Sequence, residues 1–306
     1  MNRADHPVRP ETAYLVDASI YIFRAWHTLP DQFVDPAGRP TNAVYGFARF
    51  LCDLIEKTGA MHVAVAFDES MTSSFRNEIC PDYKANRDPT PPALLQQFAW
   101  CRDLSRALGL AVYSDGWYEA DDLIASLAAG CKSRQQAVCV VSGDKDLAQV
   151  LDRGDWWWDF PRRQPMNKND VFEHFGVYPH QIADFLALAG DSVDNIAGVT
   201  GVGPKTAARL LNHFGSLDEI YSRLDEIAWL RFRGSKTLAA KLRKDEPAAR
   251  LARRLTGLEE QIPELADNAS IRRRRHDADA LDALLDALGF GRPLRERLHR
   301  LAVNQS

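Results

Sequence analysis

The 306-residue chain lacks several features that would settle its chemistry at once. Its five cysteines, Cys52, Cys80, Cys101, Cys131 and Cys139, never reach C-x-x-C spacing. An odd count of scattered thiols argues against a disulfide framework and a zinc ribbon, and points to reduced cysteines in a cytosolic protein. The eight histidines form no H-x-H or H-E-x-x-H pair, so a zinc hydrolase has no ligand set here. No apolar run approaches the ~20 residues that cross a bilayer. The opening "MNRADHPVRPET" has no apolar core of a signal peptide. Positive charge is not in excess either, at a formal net −4. Composition therefore does not announce a nucleic-acid binder, although whole-chain charge can hide a local patch.

What the chain does contain is a series of short apolar runs alternating with helical patterns. "AYLVD" reads as a strand ending at Asp17 and "HVAVAFD" as one ending at Asp68. "AVCVVSGDKD" runs into Asp144 and Asp146, and a weaker strand, "LAVY", covers 110–113. Runs that are apolar nearly throughout suit strands buried on both faces of a parallel sheet. Between them Leu94, Phe98, Cys101, Leu104 and Leu108 recur at helical spacing, and Gly109 suits the stop. The alternation predicts an α/β fold with a mostly parallel central sheet flanked by helices.

In such a sheet the carboxyl ends of the strands form the ligand crevice. Asp17, Asp68 and Asp144 each follow a strand, and "YEADDLIA" sets Glu119, Asp121 and Asp122 at the opening of a helix. Singly, such acids have plain structural uses in turns or as complements to a helix macrodipole. Together they crowd one rim, where like charges destabilise the fold or force protonation. Divalent cations resolve the conflict, and an all-oxygen donor set suits Mg²⁺ or Mn²⁺ better than zinc. Two such ions ~4 Å apart can clamp a phosphodiester.

A second constellation occupies residues 187–216, "ALAGDSVDNIAGVTGVGPKTAARLLNHFGS". It carries Asp191 and Asp194, then Gly198, Gly201 and Gly203, then Pro204 where a helix should start. A glycine-rich turn feeding a helix can hold phosphate on free backbone N–H groups, with Lys205 adding charge. It can equally be an ordinary helix–turn–helix corner whose glycines supply positive φ. Nothing in it reads bases. Residues 231–254 hold nine cations (Arg231, Arg233, Lys236, Lys241, Arg243, Lys244, Arg250, Arg253, Arg254) against Asp245 and Glu246. That is either a nucleic-acid patch or a solvated helical face. The three tryptophans of "DWWWDF", 155–160, would stack on bases or pack on the sheet, and packing is the expectation.

The acids, "YKANR" and "GDSVDNIAGVTGVGPKTA" together resemble the 5′-nuclease family: flap endonucleases, phage 5′-exonucleases and the N-terminal nuclease domain of bacterial DNA polymerase I. The likeness runs from about Tyr14 to about Gly289. It implies a PIN- or resolvase-like α/β core at 13–178 with a helical arch at 69–92, then a helical region at 179–290 carrying a helix-hairpin (helix-two-turn-helix) motif. A loose leader at 1–12 and a tail at 291–306 complete the expected layout. One metal would be served mainly by Asp68, Glu119 and Asp121, and a second by Asp144, Asp146, Asp191 and Asp194. Asp17 and Asp122 would act through water or from behind. In the arch, Lys84 would approach the scissile phosphate, Arg76 and Arg87 would contact phosphate, and Tyr83 would stack on a terminal base. Gly201, Gly203, Lys205, Thr206 and Lys236 would hold the duplex, with K⁺ expected at the hairpin.

The implied activity is that of a structure-specific 5′-3′ exonuclease and flap endonuclease in primer removal, replication or repair. Its expected partners are DNA flaps, DNA 5′ ends and RNA–DNA primer junctions, met by a cytoplasmic monomer with no membrane contact. The absence of polymerase sequence leads to the expectation of a free-standing bacterial member. Two other classes stay open. A non-catalytic DNA-binding scaffold of the same fold would need a broken acid set. A PIN-type ribonuclease would leave the hairpin unexplained.

Overall fold

The computed structural model describes residues 9–69, 74–230 and 234–303, without the side chains of Lys236, Asn268, Ala302 and Val303. Five strands, β1 (Ala13–Asp17), β2 (His62–Asp68), β3 (Ala111–Asp115), β4 (Val138–Val141) and β5 (Trp156–Trp157), form one parallel sheet in the order β3-β2-β1-β4-β5. Around it lie α1 (Ala18–Thr28), α2 (Asn42–Thr58), α3 (Phe75–Ile79), α4 (Pro92–Ala107) and α5 (Ala120–Ser133). There follow α6 (Lys168–Phe175), α7 (Ile182–Ala189), α8 (Pro204–Phe214), α9 (Leu217–Ser222), α10 (Ser235–Thr256), α11 (Pro263–Asn268), α12 (Ala278–Ala287) and α13 (Arg292–Val303).

The two-residue pleat sorts side chains by size. Tyr14, Val16, Val63, Val65 and Phe67 face a core shared with α1, α2, α4, α12 and α13. Ala13, Leu15, Ala64 and Ala66 face the other core, where α5 lies with α7, α8 and α10. Small residues let α5 come close on both sides. At Gly130 an added Cβ would meet the Ala266 carbonyl of α11 at 2.5 Å. From β1 the chain moves outward to β2 and β3, then crosses to β4, so the sheet switches direction between β1 and β4. Ligands of open α/β sheets bind at that switch, beyond the carboxyl ends. Asp17 ends β1 there, and Asp68 ends β2 in register with Asp115 of β3.

Several sequence expectations are refined. "DWWWDF" contributes only the two-residue β5, with Trp157 turned into one core and Trp158 into the other. The tryptophans pack. The expected tail contains α13, whose Leu294, Leu298 and Leu301 enter the core while Arg297 pairs with Asp53 and Glu56 of α2. Of the expected leader, residues 1–8 lie outside the described residues, and the Pro10 carbonyl accepts the Met61 N–H. No helix among the described residues is long and apolar enough to cross a membrane.

Candidate active site

Each acid at the rim is held by the element that delivers it. Asp17 accepts the Ser142 hydroxyl at 2.8 Å, and that hydroxyl accepts the Asp144 N–H at 2.9 Å. One serine thus ties the end of β1 to the turn after β4. Asp68 accepts the Ser19 hydroxyl at 2.5 Å and the Ala120 N–H at 2.9 Å, joining β2 to the first turn of α5. Asp144 caps the 3₁₀ turn at 145–150 by accepting the Asp146 N–H at 3.0 Å. The Glu119 N–H donates to Asp122 at 3.2 Å in the cap of α5. Asp191 and Asp194 arrive on the loop after α7, which the mutual backbone pair of Asp191 and Ile196 closes. Ser19 and Ser142 were not singled out in the sequence. Their only signal is a hydroxyl one or two residues beyond a strand end, beside an acid.

These carboxylates share one field. Burial, then the neighbouring Asp68, hold Asp17 up at about 7. Burial, then Asp144, raise Asp146 to about 7. Burial pushes Asp121 well above the carboxylate range, with Asp144, Asp17 and Asp68 adding to it. Two lysines offset part of the charge. Lys84 Nζ lies 3.0 Å from Glu119 Oε1 and 3.8 Å from Asp194 Oδ2. Lys145 Nζ lies 2.5 Å from Asp191 Oδ2 and 3.3 Å from Asp146 Oδ1. Burial works against both ammonium groups, but the acids outweigh it and hold each lysine above its ordinary range. Lys145 is a second omission of the sequence reading, although it stands between two acids in "DKD".

The donor chemistry fits a hard divalent cation. The set is all oxygen, it is short of positive charge, and Asp146 Oδ1 is buried without a hydrogen-bond partner. As the side chains stand, no three Asp, Glu, His or Cys among the described residues are grouped to hold one ion. Lys84 and Lys145 lie between the acids, and these ammonium groups would have to yield to an entering ion.

The described part of the segment expected as an arch lies down on this cluster; residues 70–73 are outside the described residues. The Lys84 N–H donates to the Asp194 carbonyl at 3.0 Å, and Asn195 Nδ2 donates to the Asp82 carbonyl at 2.7 Å. Lys84 at φ 55° and Asn195 at φ 57° both take left-handed backbone, a strain that persists where the surroundings over-determine it. Arg87 pairs with Asp194 at 2.6 Å and stays half exposed.

Arg76 departs from expectation. It is 1% exposed, grips Asp122 with two prongs, reaches Glu119 at 3.3 Å and donates to the Leu255 and Gly257 carbonyls at the end of α10. A guanidinium so engaged has no donor left for phosphate. Tyr83 departs too. Its ring is 4% exposed and its hydroxyl donates to Glu119 at 3.0 Å, so in this arrangement it offers no face to a terminal base. Asp122 is wholly buried beneath Arg76 and the Glu259 N–H, behind the rim.

At the hairpin, Gly201, Gly203 and Lys205 are exposed and Thr206 is half-buried, around the start of α8. Gly201 takes φ 77°, whereas Gly198 is small for packing, since a Cβ there would strike the Gly190 nitrogen at 2.3 Å. The loop is fastened to α10 by the Thr200 N–H, which donates to Asp245 at 2.8 Å. Among the cations of 231–254, Arg243 pairs with Asp225, Arg250 with Asp218 and Glu246, and Arg253 with Asp184. Arg231, Arg233 and the Lys236 side chain lie outside the described residues. The basic patch is therefore weaker than the count of nine suggests.

Residues 12–176 match the N-terminal resolvase-like domain of 5′-3′ exonucleases, and residues 177–279 match the 5′-3′ exonuclease C-terminal SAM fold. The chain belongs to the 5′-3′ exonuclease family. DNA polymerase I of Rhizobium leguminosarum is 37% identical over 270 residues, 86% of this chain and 25% of that protein. DNA polymerase I of Mycobacterium tuberculosis is 36% identical over 293 residues, 94% of this chain and 31% of that protein. The exonuclease chain thus spans a quarter to a third of these relatives. The 5′-exonuclease of bacteriophage T5, described with bound zinc, shares the fold at TM-score 0.67 and 21% identity, covering 95% of this chain and 99% of that one. The catalytic core of Rad2 in complex with DNA substrate does so at TM-score 0.62 and 16% identity, covering 99% and 94%. The parallel α/β core and helical C-terminal part expected from sequence are those of this exonuclease family.

Proposed function

We propose that the chain is a structure-specific 5′-3′ exonuclease and flap endonuclease that hydrolyses DNA phosphodiesters with two divalent ions, Mg²⁺ or Mn²⁺. The observation that carries this reading is the rim itself. Carboxylates from five separate parts of the chain converge there and raise the proton affinity of Asp17, Asp121 and Asp146, and two lysines only partly offset them. Asp68, Glu119 and Asp121 would hold one ion, and Asp144, Asp146, Asp191 and Asp194 the other. Asp17 would orient the second set through Ser142. The chemistry such ions supply is activation of a water and neutralisation of charge on the phosphate.

The chain's own groups do the rest. Ser19 and the Ala120 N–H fix Asp68, and Arg76 fixes Glu119 and Asp122 from beneath. Lys84, now paired with Glu119, would leave it and offset charge growing on the scissile phosphate. Arg87 is the exposed cation of the same segment. Gly201, Gly203, Lys205 and Thr206 would meet a duplex backbone at the start of α8. Lys236 and a K⁺ ion at the hairpin belong to the same proposal.

A solved T5 flap endonuclease is described as a complex with DNA and metal ions, which supports DNA as the partner. We infer 5′ flaps, 5′ ends and primer junctions as substrates. Five free thiols suit a reducing cytoplasm, and we infer a monomer there. The test is cleavage of a 5′-flapped DNA with Mg²⁺, with EDTA and by Asp144→Ala. Cutting should vanish in EDTA and all but vanish in the variant, and undiminished cutting by Asp144→Ala refutes the assigned site. Binding without cutting by the wild type supports a scaffold, and faster cutting of single-stranded RNA supports a PIN-type ribonuclease.

A further inference from the structure

A cavity of about 540 Å³ opens behind the acid rim, walled by Phe75, Trp117 and Tyr118 and edged by Glu78, Arg254 and Glu259. The proposed mechanism uses none of these six. Trp117 is 46% exposed, yet the loop that carries it is fixed. Asp115 Oδ1 accepts the Trp117 N–H at 2.7 Å and the Tyr118 N–H at 2.9 Å, and the Trp117 carbonyl accepts the Phe75 N–H at 3.0 Å. Phe75 and Tyr118 meet edge to face at 5.9 Å, and the Arg76 guanidinium lies 4.5 Å from the centre of the Phe75 ring. The cavity therefore adjoins the buried Arg76–Asp122 pair, since the N–H of its Glu259 donates to Asp122. Phe75 adjoins Arg76, and Trp117 stands two residues from Glu119.

The lining selects a ligand class. A half-open indole on a fixed loop is a flat surface for another planar ring, and stacking of this kind tolerates any base. Glu78 and Glu259 repel a phosphate but accept hydrogen bonds from amino groups on a base edge. Glu259 Oε1 already takes the Gln261 N–H at 2.8 Å, which leaves its second oxygen for such a bond. Arg254 is exposed and has no hydrogen bond or ion pair among the described residues, so it can meet a phosphate outside the cavity. Base inside and backbone at the edge is the arrangement these charges favour.

We propose that this cavity is a subsite for an unpaired nucleobase on the 5′ single strand of the substrate, with Trp117 stacking on the base and Arg254 holding the flanking phosphate. The proposal rests on the nuclease reading, because it needs a strand whose phosphate lies at the acids.

The test compares a nicked duplex bearing a short 5′ tail with the same duplex lacking it. Binding is measured by fluorescence anisotropy in EDTA, where cutting does not interfere. Trp117→Ala should weaken the tailed DNA about tenfold and the untailed DNA less than about twofold. Trp117→Phe should restore most of the difference, and Arg254→Gln should show a smaller selective loss. A tail with abasic sites should bind the wild type as an ordinary tail binds Trp117→Ala. 2-Aminopurine stepped along the tail should be quenched at one position by the wild type and not by the alanine variant. Equal loss on both DNAs, no loss on either, or an abasic tail that binds as tightly as a normal one overturns the subsite. A wild type that cuts tailed DNA while Trp117→Ala keeps the full tail advantage overturns the subsite alone. A wild type that neither binds nor cuts tailed DNA overturns the nuclease reading, and the subsite falls with it.

Discussion

Arg76 and Asp122 hold one another at 2.6 and 2.7 Å, both sealed from solvent. Asp122 opens α5, and Arg76 also closes the last turn of α10 by donating to Leu255 and Gly257. Removing one partner of a buried pair leaves the other uncompensated, which costs about 3–5 kcal/mol. Arg76→Ala should destabilise the fold by that amount in urea unfolding. Arg76→Lys should recover little, because an ammonium cannot reproduce the planar fork. A double variant that makes both positions apolar should be less harmful than Arg76→Ala alone. Unchanged unfolding of Arg76→Ala would show that the pair is dispensable.

The clustered acids set a pH dependence whose sign follows from their proton affinities. Asp17 and Asp146 keep their protons up to about 7 in the folded chain, whereas free carboxylates release theirs near 4. Between those values the folded state binds more protons than the unfolded one. Their contribution to stability is complete below about 4 and is lost as pH rises through about 7. In EDTA, thermal melting should occur at a lower temperature at pH 8 than at pH 5.5, and Asp146→Asn should flatten the slope. Mn²⁺ should raise the melting temperature more at pH 8. A midpoint that climbs across this interval in EDTA contradicts the crowded rim.

Lys145 stands between Asp146 and Asp191, where it would compete with a cation held as proposed. Lys145→Met should bind Mn²⁺ about tenfold more tightly in calorimetry, a gain of ~1.4 kcal/mol. That is well under the ~4 kcal/mol between unit charges 4 Å apart at a dielectric of 20, as expected for a lysine that can turn aside. Weaker binding would mean that Lys145 supports the ion.

Gly201 sits at φ 77°, and a Cβ there would meet Lys241 Nζ at 2.8 Å. Gly201→Ala should lower duplex affinity with little change in single-turnover rate on saturating DNA. Lys205→Gln should weaken binding evenly across sequences and reduce the salt slope by about one unit. Loss of preference for particular sequences would point to base contacts instead.

The strands and the rim were legible because their signals are periodic or terminal. An apolar run followed by an acid needs only the pleat and the parallel sheet to place the carboxylate. Arg76 and Tyr83 were misjudged for the opposite reason. They lie in a polar-looking segment with no repeat, and nothing local shows that one side chain turns inward to Asp122 and the other to Glu119. The cations of α10 looked free because their partners, Asp184, Asp218 and Asp225, are remote in sequence. Lys145 was in plain view, but a lysine between two aspartates reads as surface until the Asp191 loop is seen to cover it.

One helix joins the hairpin to the chemistry. Asp245 of α10 takes the Thr200 amide, and Leu255 takes the Arg76 side chain. These anchors are ten residues apart on one helix, with Pro247 between them, a span of about 15 Å at 1.5 Å per residue. Along a DNA strand that is about four phosphate steps. On the proposed nuclease reading the helix would act as a ruler: the distance from the clasped backbone to the scissored bond would be measured in helical turns, and lengthening α10 would move the nick.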